Sequence, residues 1–294
     1  MATLTGEQKV FYEEKGWLRL EAVCTGDEVE TLRAELDFLF EHWAQEGSGW
    51  KGDWIQRYMD AETARKARGV VLHNLERYAA GWNRFIYNAP LIEAVADLIG
   101  PNVEFHSTST HVKGPEAGMA FPMHQDSAFY NHANDRLVIA ALHLDDTNDE
   151  NGVFRFVDGS HRTGLIPHVI RNADGSRATP HLSVEEHPLE NSTPVYCRAG
   201  DVVLFNLHTI HGSDVNRSPH LRRLVVARYR DPQNIQQTGI NPFGPMVAGV
   251  RPPVAGMKAS VHQITYLTQI GEEAGTLSER PLPQLVMNKE GQAR

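Results

Sequence analysis

The chain of 294 residues has few cysteines, no excess of positive charge and no long apolar run. Its two cysteines, Cys24 and Cys197, are too few for a disulfide framework, which indicates a reducing compartment. No stretch of about 18 apolar residues occurs, so the sequence predicts no membrane span. The first residues lack the basic and apolar regions of a secretory signal, so we expect a cytoplasmic protein.

The charge balance argues against one class of partner. The formal net charge is -9 at pH 7, whereas nucleic-acid-binding proteins neutralise phosphates with a basic surface. We therefore expect no nucleic-acid partner. A small anionic ligand is still compatible with this charge, because one or two buried cations suffice to bind it. The oligomeric state is not readable from the sequence.

The first hundred residues have the apolar spacing of helices. A short amphipathic pattern covers Gly6–Gly16, and a helix start at Thr25–Glu28 leads into apolar residues three and four apart as far as Phe40. The pattern returns over Pro90–Ile99 and ends at Gly100. The sequence therefore predicts a helical wrap over about residues 1–100.

From Asn102 onward the pattern changes to short β-type runs separated by turn residues. The clearest predicted strands are Val103–Val112, Leu137–Leu144, Gly152–Val157, Val195–Cys197, Asp201–Leu207 and Arg222–Tyr229. They predict an antiparallel β core of closed or double-sheet form over about residues 102–230, followed by an extension over 231–294. No repeat or low-complexity linker divides the chain, so we expect one domain over residues 1–294.

The first candidate metal ligands are His124 and Asp126. Residues two apart in a strand point to the same face, so an imidazole and a carboxylate would project side by side. With one more histidine they would form the two-histidine, one-carboxylate triad of non-haem iron(II) enzymes. The motif is weak alone, since a second copy occurs at His143-Leu144-Asp145. That copy lies within an apolar run, whereas His124 follows a Gly- and Pro-containing bend, which favours His124 and Asp126.

The third ligand should come from a later strand. The run Asp201–Leu207 leads directly into His208 and His211, and either residue fits by position. A solvent-exposed loop histidine is the alternative for both.

Four ordered motifs give the sequence a specific resemblance. They are Met123-His124-Gln125-Asp126, Asp145-Asp146 leading to Asp158-Gly159-Ser160-His161, Gly200-Asp201-Val202-Val203-Leu204-Phe205, and His211-Gly212-Ser213 with Arg222 eleven residues after the histidine. In this order the sequence resembles the phytanoyl-CoA dioxygenase-like oxygenases, which depend on iron(II) and 2-oxoglutarate and include ectoine hydroxylases. The family usually has Pro where this chain has Asp158, a departure at a turn.

The resemblance implies a fold, cofactors and principal site residues. The expected fold is α+β, with a double-stranded β-helix core (jelly roll, cupin-like) and N-terminal helices packed outside. The implied iron(II) ligands are His124, Asp126 and His211, with Arg222 binding the distal carboxylate of 2-oxoglutarate. Strand alternation places Arg222 and Arg223 on opposite faces, so Arg223 remains the alternative.

The implied reaction is the oxidation of a small molecule by O2 and 2-oxoglutarate, with release of succinate and CO2. Hydroxylation of an amino acid or natural-product intermediate is the expected outcome, while desaturation, epoxidation and cyclisation use the same oxidant. Halogenases of this kind carry a small residue at the carboxylate position, so Asp126 argues against halogenation.

Other residues are assigned by weaker arguments. Ser213, His111 and Lys113 are candidate cosubstrate contacts, and Tyr130 and His143 are candidate substrate contacts. An ordinary packing role is the alternative for each. Two long stretches, residues 50–68 and 233–251, have the composition of substrate lids.

Two other classes of function compete with the oxygenase. A cupin-like protein that holds a metal without catalysis would have the same architecture. A zinc hydrolase would use His124, His211 and a carboxylate. Neither alternative gives a role to Arg222.

Overall fold

The computed structural model describes residues 3–44, 49–66, 71–116, 118–237 and 243–253. The described residues up to Arg251 belong to one compact unit. The single domain over residues 1–294 stays a prediction, because residues 254–294 and much of the predicted extension lie outside the described part. Within the described residues no helix is long and apolar enough to cross a membrane.

The helices begin where the sequence supplies capping residues. Thr5 and Thr25 each form a capping box, with Gln8 and Glu28 respectively, and Asn88 caps the last helix ahead of its Pro90. All three helical patterns of the sequence are confirmed. The helices are α1 Gly6–Lys15, α2 Gly26–Trp43, α3 Ile55–Tyr58, α4 Ala61–Lys66, α5 Ala80–Phe85 and α6 Ala89–Ile99.

The strands form two antiparallel sheets and one hairpin. The strands are β1 Trp17–Leu20, β2 Val103–Thr110, β3 Phe121–His124, β4 Leu137–His143, β5 Phe154–Phe156, β6 Val169–Arg171, β7 Arg177–His181, β8 Thr193–Val195, β9 Val202–Asn206, β10 His211–Ser213, β11 Leu224–Arg230 and β12 Met246–Ala248. The major sheet has the order β1-β9-β4-β11-β2-β12, the minor sheet has the order β3-β10-β5-β8, and β6 pairs with β7.

Alternation along the central strands of the major sheet produces two apolar cores. On β11, Val225 and Ala227 face a core that the helices α2, α5 and α6 cover, while Leu224 and Val226 face the other side. The second core lies between the sheets, since it joins Leu224 and Val226 to Phe154 and Phe156 of the minor sheet. The major sheet is therefore buried on both faces, and the predicted α+β jelly roll is confirmed.

Two predicted strand boundaries were wrong, because residues at the strand ends form other hydrogen bonds. The strand predicted at Val195–Cys197 is instead Thr193–Val195, and Cys197 donates its N–H to Oγ1 of Thr147 at 2.8 Å. Arg222 precedes β11 and joins Lys113 in an isolated bridge. The predicted lid over residues 50–68 contains α3 and α4, while residues 67 and 68 lie outside the described part.

Helix α2 is expected to carry much of the stability of the helix-covered core. Leu36 is fully buried there, so Leu36→Ala should lower the free energy of unfolding by about 2–5 kcal/mol, because a buried Leu leaves a cavity when truncated. Chemical denaturation of both proteins measures the difference. The exposed apolar residue Val10 on α1 supplies the control Val10→Ala, which should change stability by less than about 0.5 kcal/mol. Equal effects of the two variants would contradict the core assignment.

Candidate metal centre

Two paired strands and one turn bring three ligand side chains together. His211 at the start of β10 lies directly opposite His124 at the end of β3. Asp126 opens the 3-10 turn Asp126–Ala128, and its Oδ1 lies 3.7 Å from Nε2 of each histidine. One ligand atom from each of the three lies within 4.8 Å of the others. The prediction that Asp126 lies in the same strand as His124 was wrong, because β3 ends at His124 and the following turn supplies the carboxylate.

The histidine rings are oriented by backbone carbonyls. Nδ1 of His124 contacts the carbonyl oxygen of Pro122 at 2.8 Å, and Nδ1 of His211 contacts that of Thr209 at 2.9 Å. A carbonyl only accepts hydrogen bonds, so each Nδ1 carries the hydrogen and each Nε2 keeps its lone pair. Both lone pairs therefore point into the cluster, as histidine ligands of metals require.

The protonation states suit a cation at neutral pH. Burial lowers the pKa of both His124 and His211, so both rings are neutral. Burial alone would raise the pKa of Asp126, but the Arg228 guanidinium and the hydrogen bond from the Tyr130 hydroxyl lower it below its ordinary value. The cluster therefore offers one carboxylate and two neutral imidazoles.

Gln125, between two ligands, anchors the strand end on the opposite side. Its Nε2 donates to the carbonyl oxygens of Gly164 and His208 at 2.8 and 2.7 Å. The alternative ligand His208 is not in the cluster, since its Nδ1 contacts Oγ of Ser127 at 3.0 Å. In the second His-x-Asp copy, Asp145 accepts hydrogen bonds from Arg223, so that copy forms no metal cluster among the described residues.

A cavity of about 370 Å³ opens at the three ligands, and Arg222 and Ser213 lie in its wall. Arg222 is 1% exposed, and to the described residues its guanidinium donates one hydrogen bond, from Nη1 to the carbonyl oxygen of His111 at 3.3 Å. Its Nε and Nη2 have no partner among the described residues. Burial lowers the pKa of Arg222 to about 10, which still leaves it charged at neutral pH. The buried guanidinium of Arg222 thus has one edge, formed by Nε and Nη2, that is free to bind a ligand in this cavity.

Arg223 has a different position, as strand alternation predicts. Its guanidinium forms ion pairs with Asp37 at 2.9 Å and with Asp145 at 3.1 Å. It does not line the cavity. The structure thus leaves Arg222, and not Arg223, with donors for a ligand.

The structure separates the two candidate cosubstrate contacts on the adjoining segment. His111 lines the cavity, and burial lowers its pKa to about 3. Lys113 does not line it: its Nζ donates to the carbonyl oxygens of Ser213 and Asp214. Its backbone also exchanges hydrogen bonds with that of Arg222 at 2.9 and 3.0 Å. Lys113 thus holds Ser213 and Arg222 in place, because these hydrogen bonds fix the backbone of both residues.

The two candidate substrate contacts also differ. Tyr130 lines the cavity, but its hydroxyl donates to Oδ2 of Asp126 and accepts from Nε of Arg228 at 2.7 Å. His143 does not line the cavity, and neither of its ring nitrogens has a hydrogen-bond partner among the described residues. The side chain continues the inner face of β4 beyond Ala141 but ends in the core.

Arg228 escaped the sequence argument, and Trp50 was predicted only as part of a substrate lid over residues 50–68. Arg228 is 8% exposed and lies six residues, or three steps of the strand alternation, beyond Arg222 on the same face of the chain. That alternation was a sufficient signal, had it been followed past Val226. Trp50 contacts His124 with ring centroids 4.6 Å apart, and its position within a stretch rich in Gly gave no such signal.

Comparison with known proteins decides the family. The model of the phytanoyl-CoA dioxygenase (PhyH) family matches residues 12–224. The chain belongs to this family. It is 26% identical over 233 residues to the probable alpha-ketoglutarate-dependent hypophosphite dioxygenase of Stutzerimonas stutzeri, which covers 76% of this chain and 77% of that protein.

A further relative and a solved structure are also similar to this chain. The chain is 26% identical over 263 residues to the ectoine dioxygenase of Bordetella parapertussis (strain 12822), covering 81% of this chain and 80% of that protein. The crystal structure of the epimerase SnoN with Fe3+, alpha ketoglutarate and nogalamycin RO has the same fold, with a TM-score of 0.61 and 18% identity over 83% of this chain and 96% of that chain. The predicted family is confirmed, and the predicted enzyme class is that of these relatives.

The buried histidine His143 predicts a pH dependence of stability. Burial lowers its folded-state pKa to about 3, whereas an unfolded histidine titrates near 6.5. Below pH 6.5 the unfolded chain binds the proton and the folded chain does not, so stability falls as the pH falls. Between pH 7 and 5 the metal-free wild type should lose about 2 kcal/mol more than His143→Leu. Denaturation at both pH values measures the difference; parallel losses would contradict a neutral His143.

Proposed function

We propose that this protein is an iron(II)- and 2-oxoglutarate-dependent dioxygenase that hydroxylates a small molecule and releases succinate and CO2. The observation that supports this best is the pairing of a buried three-ligand cluster with a buried arginine in one cavity. The relatives whose names specify alpha-ketoglutarate or a dioxygenase activity act on small molecules such as ectoine. The acceptor of this chain belongs to the same broad class.

The residues present fit both cofactors. Two neutral imidazoles and one carboxylate, with the Nε2 lone pairs free, are the ligand set of non-haem iron(II) oxygenases. The unpaired Nε and Nη2 of Arg222 form the edge of a guanidinium that binds a carboxylate through two parallel hydrogen bonds. A buried cation with two unsatisfied donors is costly without an anion, so the site is incomplete without one.

Each residue then has a defined task. His124, Asp126 and His211 would hold iron(II), and Arg222 with Ser213 would bind the distal carboxylate of 2-oxoglutarate. When bound, the iron and 2-oxoglutarate supply the oxidation, with O2 as the oxidant. Tyr130 orients the carboxylate of Asp126 by donating to its Oδ2, which leaves Oδ1 directed at the two histidines.

Aromatic side chains exclude water from one side of the cluster. Trp50 lies 4.6 Å from the ring of His124, and Phe129 lies 5.8 Å from it. Phe205 packs against His211 at 4.5 Å. An apolar surface beside the metal ligands suits a reactive oxidant, because the exclusion of water suppresses side reactions.

The cytoplasmic location and the small-molecule partner are part of the same proposal. Both cysteines are free and buried, which fits a reducing compartment. The proposal includes no nucleic-acid partner, because the protein has a negative net charge.

Anaerobic titration with iron(II) and 2-oxoglutarate tests the proposal. Wild type should develop the weak visible charge-transfer band of an iron-bound 2-oxo acid. His211→Ala should abolish the band, because the cluster loses one of its three ligands. Iron binding without a band on addition of 2-oxoglutarate would contradict the proposal and favour the metal-binding protein without catalysis.

A pair of adjacent variants tests the cosubstrate anchor. Arg222→Met should weaken 2-oxoglutarate binding by about 10- to 100-fold, because charged hydrogen bonds contribute about 1.5–3 kcal/mol. Iron(II) affinity should change little. Arg223→Met is the matched control, since Arg223 pairs with Asp37 and Asp145 away from the cavity. A larger loss in the control than in Arg222→Met would overturn the assignment.

A further inference from the structure

A second buried arginine lies in the wall of the same cavity. Arg228 is 8% exposed and lines the cavity, and its Nε lies 3.7 Å from Oδ2 of Asp126. Its Nε donates to the hydroxyl of Tyr130 at 2.7 Å and its Nη1 donates to Oγ of Ser109 at 3.0 Å. Within the part of the chain that the structure describes, Nη2 donates no hydrogen bond. Two N–H groups of a nearly buried guanidinium are thus available to a ligand.

The charges around the cavity indicate what that ligand carries. The ionised groups among the described lining residues are Asp126, Arg222 and Arg228. Burial lowers the pKa of the lining histidines His73 and His111, so they are neutral at pH 7. In the proposed function, iron(II) and 2-oxoglutarate cancel in formal charge, and the single carboxylate of Asp126, which lies 3.7 Å from Arg228, offsets only one of the two arginines. One positive charge then remains in the cavity, and Arg228 still has N–H groups that donate to no described residue, which favours an anionic ligand beside it.

The surroundings of Arg228 are those of an anion-binding wall. Ser107 lies directly opposite Arg228 in the β2–β11 pairing, and Ser109 contacts its Nη1. Both serines line the cavity. The aromatic wall of Trp50 and Phe129, whose ring centroids lie 5.4 Å apart, supplies the contrasting apolar side. A molecule that contacts both Arg228 and the aromatic wall would match this cavity if it had one anionic group and an apolar body.

We infer that Arg228 anchors an anionic group of the substrate, so that the substrate is a small carboxylic or phosphonic acid with an apolar body beside the metal cluster. The inference rests on the proposed function, because Arg222 must be occupied by 2-oxoglutarate. A guanidinium suits this role, since it binds carboxylate and phosphonate oxygens through paired, charge-assisted hydrogen bonds. Because Nε of Arg228 lies 3.7 Å from Oδ2 of Asp126, a molecule bound to Arg228 lies beside the metal ligands.

The test uses matched probes on the protein loaded anaerobically with iron(II) and saturating 2-oxoglutarate, so that Arg222 is already occupied. The probes are 3-phenylpropanoate, 2-phenylethylphosphonate and the neutral 3-phenylpropanamide. Calorimetry and the perturbation of the visible band report binding without turnover. At least one acid should bind wild type about tenfold or more tightly than the amide, because only the acid pairs with the guanidinium. The two acids distinguish carboxylate from phosphonate recognition.

Variants then assign the preference to Arg228. Arg228→Gln should abolish the acid-over-amide preference while the band of bound 2-oxoglutarate remains. Arg223→Gln is the matched control, because Arg223 pairs with Asp37 and Asp145 away from the cavity; its preference should persist. If Arg228→Gln no longer forms the band, Arg228→Lys is tested in its place. The acid-over-amide preference should then decrease, because an ammonium cannot form the paired hydrogen bonds of a guanidinium.

Three results would overturn the inference. They are equal binding of acids and amide to wild type, an undiminished preference in Arg228→Gln or its lysine replacement, and loss of the preference in Arg223→Gln with the band intact. Absence of the band in wild type would instead count against the proposed function. The two failures are therefore distinguishable.

Discussion

The pairing of β3 with β10 determines the geometry on which the site depends. It places His124 opposite His211, and the short strands orient both rings through the carbonyl oxygens of Pro122 and Thr209. These two hydrogen bonds are local, since each links a histidine to the residue two positions earlier. The arrangement of the histidines is therefore built into the backbone of two strands. The 3-10 turn after β3 adds the third ligand, Asp126, at equal distance from both.

The inner face of the segment from Arg222 to Arg228 divides the cavity into two charged regions. Leu224 and Val226 separate the arginines and belong to the apolar core between the sheets. Among the described residues, two side-chain nitrogens of Arg222 have no partner, whereas Arg228 uses two of its three nitrogens for Tyr130 and Ser109. The same alternation that buries the sheet thus spaces two cations along one wall. One suits a cosubstrate and the other suits a second anion beside it.

Local patterns predicted much of this structure, and contacts between distant segments account for what they missed. The helices α1, α2 and α6 have capping residues and apolar spacing, so their positions follow from the sequence. The metal ligands His124, Asp126 and His211 follow from the ordered motifs that give the sequence its resemblance to the family. The roles of Lys113 and Tyr130 depend on partners far along the chain, and no local pattern contains those partners. His143 shares a face with the interior but ends within the core, because alternation gives direction and not depth.

Anaerobic crystals grown with iron(II) and 2-oxoglutarate, with anomalous diffraction at the iron edge, test the central claim most directly. The account predicts an anomalous peak between Nε2 of His124, Nε2 of His211 and Oδ1 of Asp126. It also predicts that the distal carboxylate of 2-oxoglutarate contacts Nε and Nη2 of Arg222. A peak at other residues, or 2-oxoglutarate bound with its distal carboxylate away from Arg222, would contradict it.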